Sequence, residues 1–265
     1  MSEEQRAALT PQEARAYFRE GVWQRSTRGF ADGYLQCGVV FLRSTDAADF
    51  LAFCCKNNSA LPFLDALPAG SATPGRFAPD ADLRTDVPLY HIYKDGELAD
   101  EVTDLSRYWR GDMVSFLLGC SITFDAALKA NGIPNRQLSE TGEPTMFVTG
   151  IECVPAGRFE GPLVVSMRPM LPSQTIRAIQ VTSRFPHTHG APIHFGNPAA
   201  IGIADISQPD VGRPVRILED EVPVFWPCIG TIWSVVSRTK PELIITHAPG
   251  CMFIADKIGE SMSIL

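Results

Sequence analysis

The apolar residues of this chain gather into runs of strand length, at 34–42, 89–93, 146–153, 163–167, 201–206, 222–226 and 243–246, separated by stretches rich in glycine, proline or charge. Runs this short suit buried strands and fall well below the roughly 20 apolar residues that a bilayer-spanning helix needs. The chain must therefore build its core around sheet, and its 21 glycines and 21 prolines supply turns between the runs. Helical spacing appears among them. Residues 44–56 follow the first run and repeat Ala47, Phe50, Leu51 and Cys54 at helical intervals, a strand feeding a helix. Thr10-Pro11-Gln12-Glu13 has the chemistry of a capping box with proline in the first turn, opening a helix to about Gly21. Further helices are predicted over 112–118, over 124–130 before Asn131-Gly132, and over 174–185. Asp95-Gly96 predicts a tight hairpin between 89–93 and 98–102. Residues 61–80, rich in Pro, Gly, Ala and Ser, read as a long surface loop, a lid or a linker. This alternation predicts α/β layers with an α+β subdomain.

At 265 residues, with 45% hydrophobic and 20% charged side chains, no low-complexity tract and no fixed-period repeat, the chain can bury a sizeable core. Its net charge of -7 is spread along the sequence, and Lys and Arg form no stripe, so nucleic acid is not an expected partner. An anionic exterior repels small carboxylates, so a site for one must concentrate arginine and backbone donors locally. Seven cysteines, odd in number and without CxxC spacing, point to a reducing compartment instead of a disulfide framework. The start Met1-Ser2-Glu3-Glu4 carries no apolar leader, and the expected location is the cytoplasm, with no membrane partner.

Six segments carry candidate chemistry. Arg84 stands among Asp80, Asp82 and Asp86 and can fork onto a substrate carboxylate, or form a plain ion-pair loop. Arg168 ends an apolar strand and needs a partner against desolvation, either a ligand or a neighbouring acid. His187, His189 and His194 lie close enough to suggest a metal, but no acid at fixed spacing completes a ligand signature, so proton carriage is preferred and no metal or other cofactor is expected. Cys120, in Gly119-Cys120-Ser121, and Cys228 act as nucleophiles only where a cation stabilises the thiolate; otherwise they are small buried hydrophobes. Thr246-His247-Ala248-Pro249-Gly250 follows a strand and presents His247 at its end, where a general acid or base belongs.

Taken in order, the segments at 80–90, Gly119-Cys120-Ser121, 164–169, His189-Gly190-Ala191-Pro192, Gly202-Ile203, Pro223-Val224-Phe225-Trp226 and 246–250 resemble the D-glutamate cyclase family, also known as hydro-lyases, from about Ala31 to Asp256. The resemblance implies an α/β fold, mixed α+β, in which a three-layer α/β/α portion is interleaved with a smaller two-layer α/β portion. It implies one unit over 1–265, with two subdomains meeting near 105–150, and loss of water from a small amino or hydroxy carboxylate within amino acid metabolism. The family's named activity is closure of D-glutamate to 5-oxo-D-proline. On this basis His247, His189 and Asp86 are expected to carry catalysis. Arg84, Arg168, Gly119, Cys120, Ser121, Cys228 and Thr246 are expected to hold the substrate, with assembly into a homo-oligomer allowed. The chain departs from the family pattern at Cys37-Gly38, where Ala-Asn is usual, at Asn58-Ser59 after Asn57, where proline is usual, and at Asn197, where Asp is usual. It departs again over 229–233, Ile-Gly-Thr-Ile-Trp in place of Gly-Val-Thr-Pro-Gln, which directs attention to a changed substrate. A non-catalytic metabolite binder and a metal-assisted hydrolase are the alternatives from other classes.

Overall fold

The computed structural model describes residues 1–136 and 140–264. Two antiparallel sheets carry the fold. The seven-stranded sheet contains β1 (Tyr34–Arg43), β2 (Phe63–Ala66), β3 (Tyr90–Lys94), β4 (Glu97–Val102), β5 (Met113–Gly119), β11 (Ile244–His247) and β12 (Phe253–Ile258). The five-stranded sheet runs β8-β10-β7-β6-β9, from β6 (Thr145–Glu152), β7 (Pro162–Met170), β8 (His194–Phe195), β9 (Val211–Gly212) and β10 (Val222–Pro227). In chain order the second sheet lies wholly between β5 and β11. The predicted boundary near 105–150 spans residues 137–139, which are outside the described residues.

Helices α1 (Glu3–Ala7), α2 (Pro11–Arg19), α3 (Ser44–Lys56), α4 (Asp125–Ala130), α5 (Pro172–Thr182) and α6 (Thr231–Thr239) complete a mixed α/β architecture. The capping box opens α2 as expected: Thr10 Oγ1 accepts the Glu13 N–H at 3.3 Å, and Glu13 accepts the Thr10 N–H at 2.8 Å. Asp95 and Gly96 adopt φ of 50° and 85°, the left-handed pair that joins β3 to β4.

Three readings change. Residues 113–118 of the helix expected over 112–118 lie in β5, paired along all of its length with β1 and buried on both faces, so no polar alternation marks the strand and its apolar spacing resembles a helix. Residues 201–206 form no strand: Ile201 ends a 3-10 turn, Pro198–Ile201, and drops with Ile203 into the core. The segment read as a surface loop or lid is anchored instead. Beyond β2, its Leu67, Phe77 and Ala78 join Ala81, Leu83 and Val87 in covering one face of the seven-stranded sheet. Helix α6 and strand β12 were not anticipated.

Alternation along β1 divides the interior. Leu35, Cys37, Val39 and Phe41 face this covering segment, whereas Val40 and Leu42 face a core shared with β6, β7, β10, α3 and α6. That shared core holds the two sheets together, and the candidate site lies at its edge. No helix among the described residues is long and apolar enough to cross a membrane.

The end of β5 packs tightly against the 3-10 turn Pro186–Thr188 at Gly119, where an added Cβ would lie 1.8 Å from the backbone carbonyl oxygen of His187. Backbone cannot yield as a flexible side chain does, so Gly119→Ala is expected to cost about 2–3 kcal/mol. Gly75, with open space around it, supplies the control. Urea unfolding of both alanine variants checks this, with the Gly75 variant expected near wild type.

Candidate active site

Strand β1 pairs with β5 along one edge and divides its other edge between two strands. Gln36 and Cys37 pair with β12, and Val40 to Leu42 pair with β11. Gly38 and Val39 sit at the fork. His247, the last residue of β11, fills it with its imidazole, placing Nδ1 3.2 Å from both the N–H and the carbonyl oxygen of Val39. An open edge would leave buried backbone groups unpaired, and the ring supplies a partner where a strand is missing. The ring is 1% exposed, and its Nε2 has no hydrogen-bond partner. Thr246 braces the turn by donating from Oγ1 to the His247 carbonyl oxygen at 2.9 Å.

Beside the fork lies a cavity of about 40 Å³, lined among others by Arg28, Ser121, Ser166, Cys228, Trp233 and His247. Its lining contains three buried polar atoms without partners: Ser166 Oγ, His247 Nε2 and Trp233 Nε1. Buried polar groups are nearly always satisfied, so three orphans around one void mark a place for a polar ligand or ordered water. A wider cleft of about 830 Å³ shares Ser26, Arg28 and Pro144 with the cavity and gives it a mouth.

The charge next to this cavity is unbalanced. Asp125 receives Arg168 Nη1 at 2.6 Å and Asn135 Nδ2 at 2.9 Å, and Arg28 Nη1 lies 3.5 Å away. Two guanidinium groups therefore share one carboxylate. Arg168 is 5% exposed, sandwiched between Phe124 and Trp226, with Nε unpartnered, and burial pushes its guanidinium pKa down. A buried surplus of positive charge favours an anion. The loop bearing Arg28 is pinned from β1: Gln36 Nε2 donates to the carbonyls of Thr27 and Phe30, both at 3.2 Å. Thr27 Oγ1 donates to Gln36 Oε1 at 2.7 Å and accepts the Met252 N–H at 3.1 Å.

His189 approaches from the end of the 3-10 turn Pro186–Thr188. It takes φ of 87°, a left-handed conformation uncommon outside glycine, and its Nδ1 donates to the Ser59 carbonyl oxygen at 2.8 Å. That bond leaves Nε2 as a bare lone pair, buried and unpartnered. Burial pushes the pKa of both His189 and His247 down to about 4, with Arg168 adding to the effect at His189. Both rings are neutral at neutral pH; His189 Nε2 is open to accept a proton, and His247 Nε2 accepts one in the tautomer whose Nδ1 donates to the Val39 carbonyl oxygen.

The thiols do not fit a nucleophile's role. Burial raises the pKa of Cys228 to about 12 and also raises that of Cys120, so each lines the cavity as a neutral thiol. The Gly119 N–H is taken by the Pro62 carbonyl oxygen at 2.8 Å, which removes it as a free donor.

Arg84 and Asp86 lie elsewhere, with the segment covering the other face of the seven-stranded sheet. Arg84 is bound to Asp82, Nη2 to Oδ2 at 2.6 Å, and Asp86 is fully buried and accepts two bonds from Arg19, each at 2.8 Å. Asp86, expected among the catalytic residues, is placed away from the cavity, with its oxygens occupied by Arg19 and with Arg15 at 3.7 Å. The histidine cluster also separates. His194 stacks on Phe225 and bonds the Asn197 carbonyl oxygen at 2.8 Å, and no group of three or more His, Cys, Asp or Glu among the described residues is placed to hold a metal ion. Arg28, Asp125, Ser166 and Trp233 were missed. Ser166 was signalled by lying two positions before Arg168 on one strand and hence on the same face, and Trp233 by standing in the altered segment 229–233.

Two predictions follow from these placements. Each buried histidine has a folded pKa below its unfolded value of about 6.5, so the unfolded chain binds more protons between about pH 6.5 and 4. The contribution of each is complete above pH 6.5 and declines as pH falls through 4, on the order of 3 kcal/mol in all. Denaturant unfolding across this range should show acid destabilisation that His189→Gln and His247→Gln each reduce. Asp86→Ala is expected to cost about 3–5 kcal/mol by leaving buried Arg15 with less compensation, whereas Arg84→Met at its partly exposed pair should cost under about 1 kcal/mol. Thermal and urea unfolding of the two variants separate these effects.

The profile described as D-glutamate cyclase matches residues 114–256, which include Ser121, Asp125, Ser166, Arg168, His189, Cys228 and His247. Along nearly the whole chain, a Bacillus licheniformis protein named "Putative hydro-lyase" is 51% identical over 97% of this chain and 98% of its own length. A Bacillus subtilis protein with the same description is 50% identical over 97% of this chain and all of its own length. A Stutzerimonas stutzeri counterpart is 48% identical over 97% of each. With this coverage and identity, the chain belongs to the D-glutamate cyclase family.

Proposed function

We propose that this protein is a hydro-lyase that removes water from a small amino or hydroxy carboxylate in the cavity at the β1 fork. The observation that carries this reading is a void lined by unpartnered Ser166 Oγ and His247 Nε2, next to two arginines sharing Asp125. The relatives named as hydro-lyases support the reaction class.

The surplus charge of Arg28 and Arg168 anchors the carboxylate and fixes its orientation. His247 Nε2, facing the void, carries the proton, and His189 is a second acceptor near Arg168. The hydroxyls of Ser121 and Ser166 hold the oxygen that departs. Cys120, Cys228 and Thr246 shape the walls and brace the turn. If the substrate is D-glutamate, the amine nitrogen attacks the side-chain carboxyl carbon. The ammonium nitrogen gives up two protons in all, one carboxyl oxygen takes both, and the products are 5-oxo-D-proline and water.

The test is turnover on D- and L-glutamate, other amino dicarboxylates and hydroxy acids, followed by loss of primary amine and by mass change. Wild type is expected to release water from at least one of them. His247→Gln should slow that reaction roughly 10²–10⁴-fold, and Arg28→Met should act mainly through KM. Full turnover by the His247 variant removes that residue from proton transfer. Binding without turnover for every candidate replaces the reading with a metabolite-binding protein.

A further inference from the structure

The cavity is built for one charge and one apolar surface. Among the described residues lining it, Arg28 is the only charged one, and Ile122, Met146, Ile229 and Met252 form an apolar wall. Its volume of about 40 Å³ admits about three water-sized groups, so only a short part of any ligand is enclosed.

Ile229 has taken the space above β1. An added Cβ at Gly38 would lie 2.0 Å from Ile229 Cδ1 and 2.8 Å from His247 Cε1, so the isoleucine occupies the volume that any side chain at position 38 would need. Trp233 closes the wall from α6, with ring centroids 6.5 Å apart between it and His247. Its indole nitrogen is buried, unpartnered and able only to donate. The polar side chains of the described lining are therefore one arginine, three serines, one neutral imidazole and one indole N–H, besides two neutral thiols.

A second ionised carboxylate buried here would meet only neutral donors, the serine hydroxyls and the Trp233 indole N–H, beside the Ile229 and Met252 wall, with no second cation among the described residues of the lining. Burying a charge without a charged partner is strongly unfavourable, whereas an aliphatic substituent gains from the same wall. We infer that Ile229 and Trp233 make this site selective for a small monocarboxylate with an apolar substituent, against a dicarboxylate of equal chain length. This rests on the cavity being the substrate site proposed above, and it names the substrate class of that site.

Norvaline and glutamate provide the test, since they share a carbon chain and differ by the terminal carboxylate. Binding of the D- and L-forms to the intact protein is measured by calorimetry, with turnover followed separately. Wild type is expected to bind one form of norvaline at least about tenfold more tightly than either form of glutamate. Trp233→Gln and Ile229→Ala should each narrow that ratio about fivefold or more. Equal or tighter binding of glutamate by wild type, binding of neither ligand, or a ratio unchanged in both variants overturns the inference. Should a variant fail to fold, the wild-type ratio still decides. Preferential norvaline binding without water loss from any candidate removes the hydro-lyase reading and leaves the selectivity standing, so the two failures are distinct.

Discussion

The divided edge of β1 is the constraint on which the site depends. A central strand that changes neighbours halfway must leave a gap in its ladder, and buried amides do not tolerate such gaps. Here His247 fills the gap, which commits its Nδ1 to Val39 and leaves Nε2 at the void. The side chain that repairs the sheet is thus the one best placed for proton transfer. Gly38 follows from the same geometry, since a larger residue would collide with both Ile229 and the imidazole.

Electrostatics completes what the fork begins. Asp125 at the start of α4 holds Arg168 from the five-stranded sheet and faces Arg28 from the loop before β1. Three segments distant in sequence converge on one carboxylate, so that two cations share Asp125. Such an arrangement costs stability in the empty protein and lowers the cost of bringing in an anion. Low histidine pKa values arise in the same dry surroundings, so anion attraction and neutral bases share one physical origin.

Much of the architecture was legible because local chemistry and final structure agree. The Thr10 cap, the Asp95-Gly96 turn, the β1 to α3 unit and the strand end at His247 are read from neighbouring residues alone, whereas β7 runs two residues past the end expected at Arg168. Strand β5 was misread because burial on both faces erases the alternation that distinguishes strand from helix. Arg84 and Asp86 drew attention as a dense cluster of charge, but clustering cannot say whether the charges neutralise one another. Asp82 and Arg19 do so here, which turns a plausible ligand site into a brace.

By itself the sequence determined the family, the mixed α/β class and the kinds of residue available for chemistry, because ordered motifs and short apolar runs are properties of adjacent positions. Only the tertiary structure decided which of them meet. Arg28, Ser166, Trp233 and His247 come from a loop, two strands and a helix, and nothing local to any one of them specifies the others. Whether a charge is spent within the protein or kept for a ligand depends on partners brought from far along the chain. That accounting closes only when the sheets have packed and water has been excluded.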